Sequence, residues 1–230
     1  MLGRLSGPAR AALAPISGAA IAAGFLIRPG VPLVLAGLAV LFGLWVTGSP
    51  ARGAVEGLAG GLALFGILLR WFAAAILDFS DLPWWLAVAA VVSSACVLAA
   101  GTAVAGATVA RVAQRAGPGA GLAVSPVLWF GHELLRGVFP LPFPWAVLSA
   151  SAALTGPGSD VARDVGARGL SLGLAIGAAA LAAVLVAPRR VWPAPLLWLL
   201  MAGGLVLVDP PLQGGTPVRV GLVQGSLPRQ

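Results

Sequence analysis

The sequence predicts an all-α polytopic membrane domain of about seven transmembrane helices, followed by the first β-strand of a second domain that the chain does not complete. Three observations carry that expectation. Hydrophobic residues make up 59% of the chain and charged residues 9%, with a mean hydropathy of +0.99, against the roughly 25% charge typical of a soluble domain. The apolar residues fall into a series of runs, several of which reach the roughly 20 positions that a helix needs to cross about 30 Å of hydrocarbon. One such run could be a signal sequence; a series of them is a membrane domain. After residue 208 the pattern changes, first to a proline- and glycine-rich stretch and then to an alternating β-branched one.

The expected membrane domain covers residues 1–209, with spans at about 11–27, 31–47, 54–77, 84–110, 121–138, 165–187 and 191–208. The first two are short and are joined by Arg28-Pro29-Gly30, a turn sequence, so they also fit a helical hairpin that tilts or crosses only in part. Between the fifth and sixth spans, residues 143–153 are apolar but too few to cross, which suits a re-entrant or interfacial segment. Residues 210–217 hold prolines and glycines that forbid helix continuation and read as a linker. Residues 218–230 open with Val218-Arg219-Val220-Gly221-Leu222-Val223, a strand pattern. A lone strand is unstable in water, so the expectation is a truncated domain whose remaining strands lie outside this chain.

The net charge is +7, from 14 basic residues, all arginine, against 7 acidic ones. The arginines stand singly or in pairs between apolar runs, with no basic stripe and no interleaved aromatics, which argues against a nucleic-acid partner and makes the bilayer the expected one. They serve instead as topology signals. With the N-terminus in the cytoplasm, Arg4, Arg10, Arg52, Arg111, Arg115, Arg189 and Arg190 fall inside. Arg28, Arg136, Arg163 and Arg168 fall outside together with all five aspartates. The tail after residue 208 is then expected on the outer face of a bacterial cytoplasmic membrane. Arg70, followed by Trp71 and Phe72, suits a side chain that snorkels above an aromatic belt.

Reactive groups are few. Cys96, the single cysteine, excludes a disulfide within the chain and a cysteine metal cluster, and its place in the fourth span suggests a small buried packing residue. There is no lysine, and the one histidine, His132, excludes a multi-histidine metal site; a helix-end polar role suits it better. No Walker-type or dinucleotide pattern is present, so no cofactor is expected, and pairs such as Gly60-Gly61 fit close helix packing.

The densest polar cluster is Trp129-Phe130-Gly131-His132-Glu133-Leu134-Leu135-Arg136. Glu133 and Arg136, three positions apart, share one helical face and can pair. Charges within a span need a partner or a wet cavity. The spacing fits an ion pair orienting the end of the fifth span as well as it fits a functional site.

These residues resemble a known family. Glu133-Leu134-Leu135-Arg136, then Phe143-Pro144-Trp145, then Val165-Gly166-Ala167-Arg168-Gly169-Leu170-Ser171 are similar in order and spacing to motifs in the membrane part of bacterial apolipoprotein N-acyltransferases. Leu134 stands where that family usually has Trp, and Leu148-Ser149 where it has Gly-Tyr. The tail with Gln224-Gly225-Ser226-Leu227-Pro228 resembles the first strand of the family's α/β nitrilase-like domain, of the carbon-nitrogen hydrolase superfamily. The resemblance implies transfer of an acyl chain from a phospholipid donor to the N-terminal diacylglyceryl-cysteine of an apolipoprotein, the last step of bacterial lipoprotein maturation. It also implies a catalytic Glu, Lys and Cys beyond residue 230, so this chain alone is not expected to run the reaction. Glu133, Arg136, Phe143, Pro144 and Trp145 are then expected at the membrane side of the substrate groove. Three other readings remain: a membrane scaffold fused to a polyprenyl-phosphate mannose synthase, an inactive homologue, and a non-enzymatic transporter-like protein.

Overall fold

The computed structural model describes residues 2–138, 143–152, 156–187, 198–200 and 221. Among these the architecture is entirely helical. A short 3-10 turn, Leu2–Arg4, precedes α1 (Gly7–Leu26), α2 (Val31–Val46), α3 (Pro50–Leu68), α4 (Arg70–Phe79), α5 (Trp84–Ala116), α6 (Pro118–Arg136), α7 (Leu148–Ala152) and α8 (Gly156–Val186). Four of them are long and apolar enough to cross a membrane: Gly7–Leu26, Pro50–Leu68, Trp84–Ala116 and Gly158–Val186; Val31–Val46 is a shorter apolar helix. The chain is an integral membrane protein.

The bundle is built around α2. At 16 residues it is about 24 Å long, yet it touches α1, α3, α5, α6, α7 and α8. Val34, Leu38, Leu41, Phe42, Leu44 and Trp45 are all buried. A helix apolar on every side belongs at the centre of its neighbours, and that explains why a run too short to span comfortably is nonetheless stable. On α1 the buried positions Arg10, Ala14, Ser17, Gly18, Ile21 and Ala22 form one helical stripe facing α2 and α3.

The tightest seam joins α3 to α5. Gly53, Gly57 and Gly61 recur every fourth residue on α3, and a Cβ added at any of them would run into Gly106, Thr102 or Ala99 of α5. Small residues at this spacing let two backbones approach where lipid supplies no hydrophobic drive. Thr102 Oγ1 then donates to the Gly57 carbonyl at 2.7 Å. Gly60, on the adjacent face, meets Gly18 of α1 in the same way.

Several expectations are sharpened or corrected. The expected spans at 11–27, 31–47, 84–110 and 121–138 correspond to α1, α2, α5 and α6. The third, 54–77, is two helices: α3 ends at Leu68, and α4 is a separate ten-residue piece with no fully buried side chain. Its residues Trp71, Leu77 and Phe79 are exposed. The sixth, 165–187, is the second half of α8, which bends at Gly166, where φ is 72° and a side chain would be strained. Cys96 is exposed, not buried: it shares the outer face of α5 with Val92, Val97 and Val104, which in a bilayer faces lipid. Of the interval 143–153, residues Leu148–Ala152 form α7 and Phe143 to Val147 are irregular. The expected seventh span, apart from residues 198–200, lies outside the described residues, as do the linker and, apart from Gly221, the tail strand.

Arg10 is not a solvent-facing topology signal. It is buried, its Nε and Nη2 donate to Glu56 Oε1 and Oε2 at 2.8 and 3.1 Å, and it also donates to Thr47 Oγ1 (2.9 Å) and the Leu44 carbonyl (2.6 Å). One guanidinium thus ties α1 to α2 and α3 at the end of the bundle where the chain begins. Sequence spacing gave no sign of it, since the partners are 46 positions apart; an acid inside a span, Glu56, was the available signal.

Candidate functional site at the far end of the bundle

At the opposite end, α6 delivers three polar side chains into the interior: His132, Glu133 and Arg136 are 7%, 6% and 5% exposed. Gly117, with φ at 90°, turns the chain sharply from α5 into α6, so α6 packs back along α5 and carries its polar last turn to the end of α3, with His132 against Gly101 in the middle of α5.

Glu133 and Arg136 do come together, but only at 4.0 Å. Their close partners are backbone groups of the irregular segment. Glu133 Oε1 accepts the Leu148 N–H at 3.0 Å and the Trp129 indole N–H at 3.1 Å. Arg136 donates from Nη1 to the Trp145 carbonyl at 2.7 Å and from Nη2 to the Ala146 carbonyl at 3.5 Å, and its own carbonyl accepts the Phe143 N–H at 2.7 Å. Its guanidinium also lies 5.1 Å from the Phe65 ring centroid, a cation–π contact. The acid holds one end of the segment and the base holds the other. Between them Ala146 sits at φ 58°, a left-handed conformation that costs a non-glycine residue about 1–2 kcal/mol and persists only where the surroundings enforce it.

The clamp fixes a rim of aromatic rings. Trp145 packs against Trp71 with centroids 4.8 Å apart and the rings tilted by 49°, Phe143 lies 6.5 Å from Phe72, and Phe143 and Trp145 are 6.2 Å apart. Trp71 and Trp145 remain 42% and 52% exposed. Arg70, expected to snorkel above an aromatic belt, is exposed, and Trp71 and Phe72 pack against Trp145 and Phe143 of the candidate site. The signal was present in the sequence, since both segments pair aromatics, but nothing in the spacing brings residue 71 to residue 145.

Behind the clamped segment, α6, α7 and α8 enclose a crevice of about 210 Å³. Phe130, Leu134 and Val147 line it with apolar surface, Glu133, Ser149 and Ser171 with polar atoms, and Pro144 and Arg168 also border it. Ser171 Oγ accepts the Ser149 N–H at 3.0 Å, linking α7 to α8. Of the five expected groove residues, Glu133 and Pro144 line this crevice, Arg136 anchors its wall, and Phe143 and Trp145 form the rim. Of the residues that depart from the family motif, Leu134 and Ser149 line the crevice as well, and Leu148 does not. His132 is not a helix-end polar group: it is packed edge-on to Phe65 and Trp129, with centroids 6.1 and 6.4 Å away. Among the described residues no cluster of His, Cys, Asp or Glu could hold a metal.

The fold and this end of it define a helical integral-membrane domain in which Glu133 and Arg136 hold an aromatic, crevice-bearing rim. Residues 17–180 match the family profile of the apolipoprotein N-acyltransferase N-terminal domain, and the chain belongs to that family. It is 32% identical over 218 residues to an apolipoprotein N-acyltransferase of Nitrosomonas europaea, covering 92% of this chain and 43% of that protein. It is 30% identical over 228 residues to one of Geobacter metallireducens, covering 94% and 43%, and 30% identical over 204 residues to one of Methylococcus capsulatus, covering 84% and 39%. The chain therefore spans well under half the length of these relatives.

Proposed function

We propose that this chain is the membrane portion of an apolipoprotein N-acyltransferase, positioning lipid for an acyl transfer whose catalytic residues are supplied by a nitrilase-like domain following residue 217. The clamp carries this reading. Two buried charges are spent on fixing an irregular segment, and that segment presents aromatic rings and a crevice at one end of the bundle. A bundle needing only to be stable gains nothing from that arrangement, since apolar side chains fill such space at least as well. Glu133 and Arg136 act as positioning residues, and Phe143, Pro144 and Trp145 form the membrane-side floor along which acyl chains enter from the bilayer. The phospholipid donor and the diacylglyceryl apolipoprotein are the substrates. The orientation has the N-terminus in the cytoplasm of a bacterial inner membrane, with seven spans before the outer-face domain. Family membership and the similarity to named acyltransferases support the acyltransferase reading over transporter-like and scaffold-only ones.

The test is Trp145→Ala and Arg136→Ala in a complete enzyme carrying this membrane domain, with N-acylation of a lipoprotein measured per folded protein. The expected result is a loss of rate in both, larger for Arg136→Ala because it releases the whole segment. Wild-type rates in both variants would refute the floor.

A further inference from the structure

A second lipid-facing feature lies at the other end of the bundle, where the clamp has no part. Pro50 at the start of α3 and Ala107, Thr108, Arg111, Val112 and Arg115 on α5 enclose an open cavity of about 490 Å³. Arg111 and Arg115 are one helical turn apart, so both guanidiniums stand over the same groove. Neither makes an ion pair or hydrogen bond among the described residues. The acid on α3, Glu56, is buried and already held by Arg10.

Depth decides what such a groove meets. α5 is 33 residues long, about 50 Å, which exceeds even the 40–45 Å of a bilayer with its headgroup layers. Trp84 and Trp85, 68% and 55% exposed, mark one interface at its start. Arg111 then lies about 40 Å further along the helix axis, at the opposite headgroup layer. Toward the membrane centre the same face of α5 continues with exposed Val104 and Val97, an apolar track for a chain attached to whatever the arginines hold. The C-terminal end of α5 contributes only about half a negative charge, so the pair leaves the cavity positive.

We propose that this cavity binds one anionic phospholipid of the bilayer, with Arg111 and Arg115 gripping the phosphate and an acyl chain lying along Val104 and Val97. It is a site separate from the rim and crevice, and in the orientation proposed above it faces the cytoplasmic leaflet. Guanidinium forks match phosphate oxygens in pairs, and basic pockets between membrane helices are suited to anionic headgroups.

The experiment is native mass spectrometry of the purified full chain in mild detergent, titrated with phosphatidylglycerol or with phosphatidylcholine of the same acyl chains. The expected result is one retained phosphatidylglycerol, preferred over phosphatidylcholine. In Arg111→Gln/Arg115→Gln that preference falls by roughly thirtyfold, the factor expected for two headgroup-level arginines. Arg111→Lys/Arg115→Lys keeps the charge and the topology signal and is expected to fall only in part. Arg52→Gln, an exposed arginine of α3 outside the cavity lining, is expected to bind as wild type. Equal retention of the two lipids, unchanged preference in the glutamine variant, or an equal loss in Arg52→Gln would each overturn the site.

Discussion

Replacing Arg136 by methionine tests whether the clamp, and not the ion pair, is what the charges are for. The variant keeps most of the side chain's volume and removes the donors. It loses a 2.7 Å charged hydrogen bond to the Trp145 carbonyl and a weak one at 3.5 Å to Ala146, the first being worth about 1.5–3 kcal/mol. It also removes the cation–π contact with the Phe65 ring, 5.1 Å from the guanidinium, worth about 0.5–2 kcal/mol. We expect Arg136→Met to destabilise the bundle by about 2–5 kcal/mol, measured as reversible unfolding in mixed micelles. Hydrogen exchange should rise across residues 143–152, whose Phe143 and Leu148 amides are held at the clamp. Arg136→Lys keeps the charge but not the fork, and should recover only part of the loss. The decisive figure is the coupling to Glu133→Gln in a double-mutant cycle. Because the two side chains are 4.0 Å apart and each is better bonded to backbone, it should fall at the low end for residues in contact, below about 1 kcal/mol. A coupling well above that, with full rescue by lysine and unchanged exchange in 143–152, would refute the clamp and restore the simple ion pair.

Two further outcomes follow from the rest of the bundle. Arg10→Met should cost about 3–5 kcal/mol by stranding Glu56, whereas Arg10→Met/Glu56→Leu should recover most of it, since a well-packed apolar pair matches a buried ionic one; the same unfolding assay reads both. Gly57→Val should cost at least about 1–3 kcal/mol and loosen the α3–α5 seam, because its Cβ would meet the Thr102 carbonyl. Gly66→Ala on the same helix should be nearly silent, nothing lying within 4 Å of that Cβ.

What the sequence revealed followed from which interactions are local. Apolar run length depends only on neighbours along the chain, so α1, α2, α5 and α6 stand where the hydropathy put them. The break at Leu69 was not legible, because Arg70 beside it fits the end of a single span as well as the start of a new helix and no proline or glycine marks position 69; Trp71 and Phe72 of α4 dock on a segment some 70 residues later. The bend in α8 was half legible, since Gly166 can take a positive φ but does not have to. For the candidate site the sequence supplied the members and missed the bonding. Helical spacing can pair Glu133 with Arg136, yet it has no means of showing that their oxygens and nitrogens are aimed at the backbone of 143–148. Arg10 was misassigned for the same reason: an arginine near a span end has the same local pattern whether it faces lipid headgroups or Glu56.

The helix that carries the site is one that hydropathy alone does not mark as a span. α6 is absent from the helices apolar enough to span by composition, and the residues responsible are His132, Glu133 and Arg136. Glu133 and Arg136 are tolerable in a membrane because each is partnered, Glu133 by two N–H donors and Arg136 by carbonyls and the Phe65 face; the ring nitrogens of His132, edge-on to Phe65 and Trp129, have no hydrogen-bond partner among the described residues. Backbone that is neither helix nor strand is tolerated at membrane depth only where protein satisfies its polar groups, and the segment from Phe143 to Val147 is such backbone. The two exceptions therefore account for each other. The irregular segment supplies the partners that buried charges require, and the charges supply the partners that irregular backbone requires. Removing one charge exposes the unmet demand of the other side, which is why the clamp, once lost, is expected to take the aromatic rim with it.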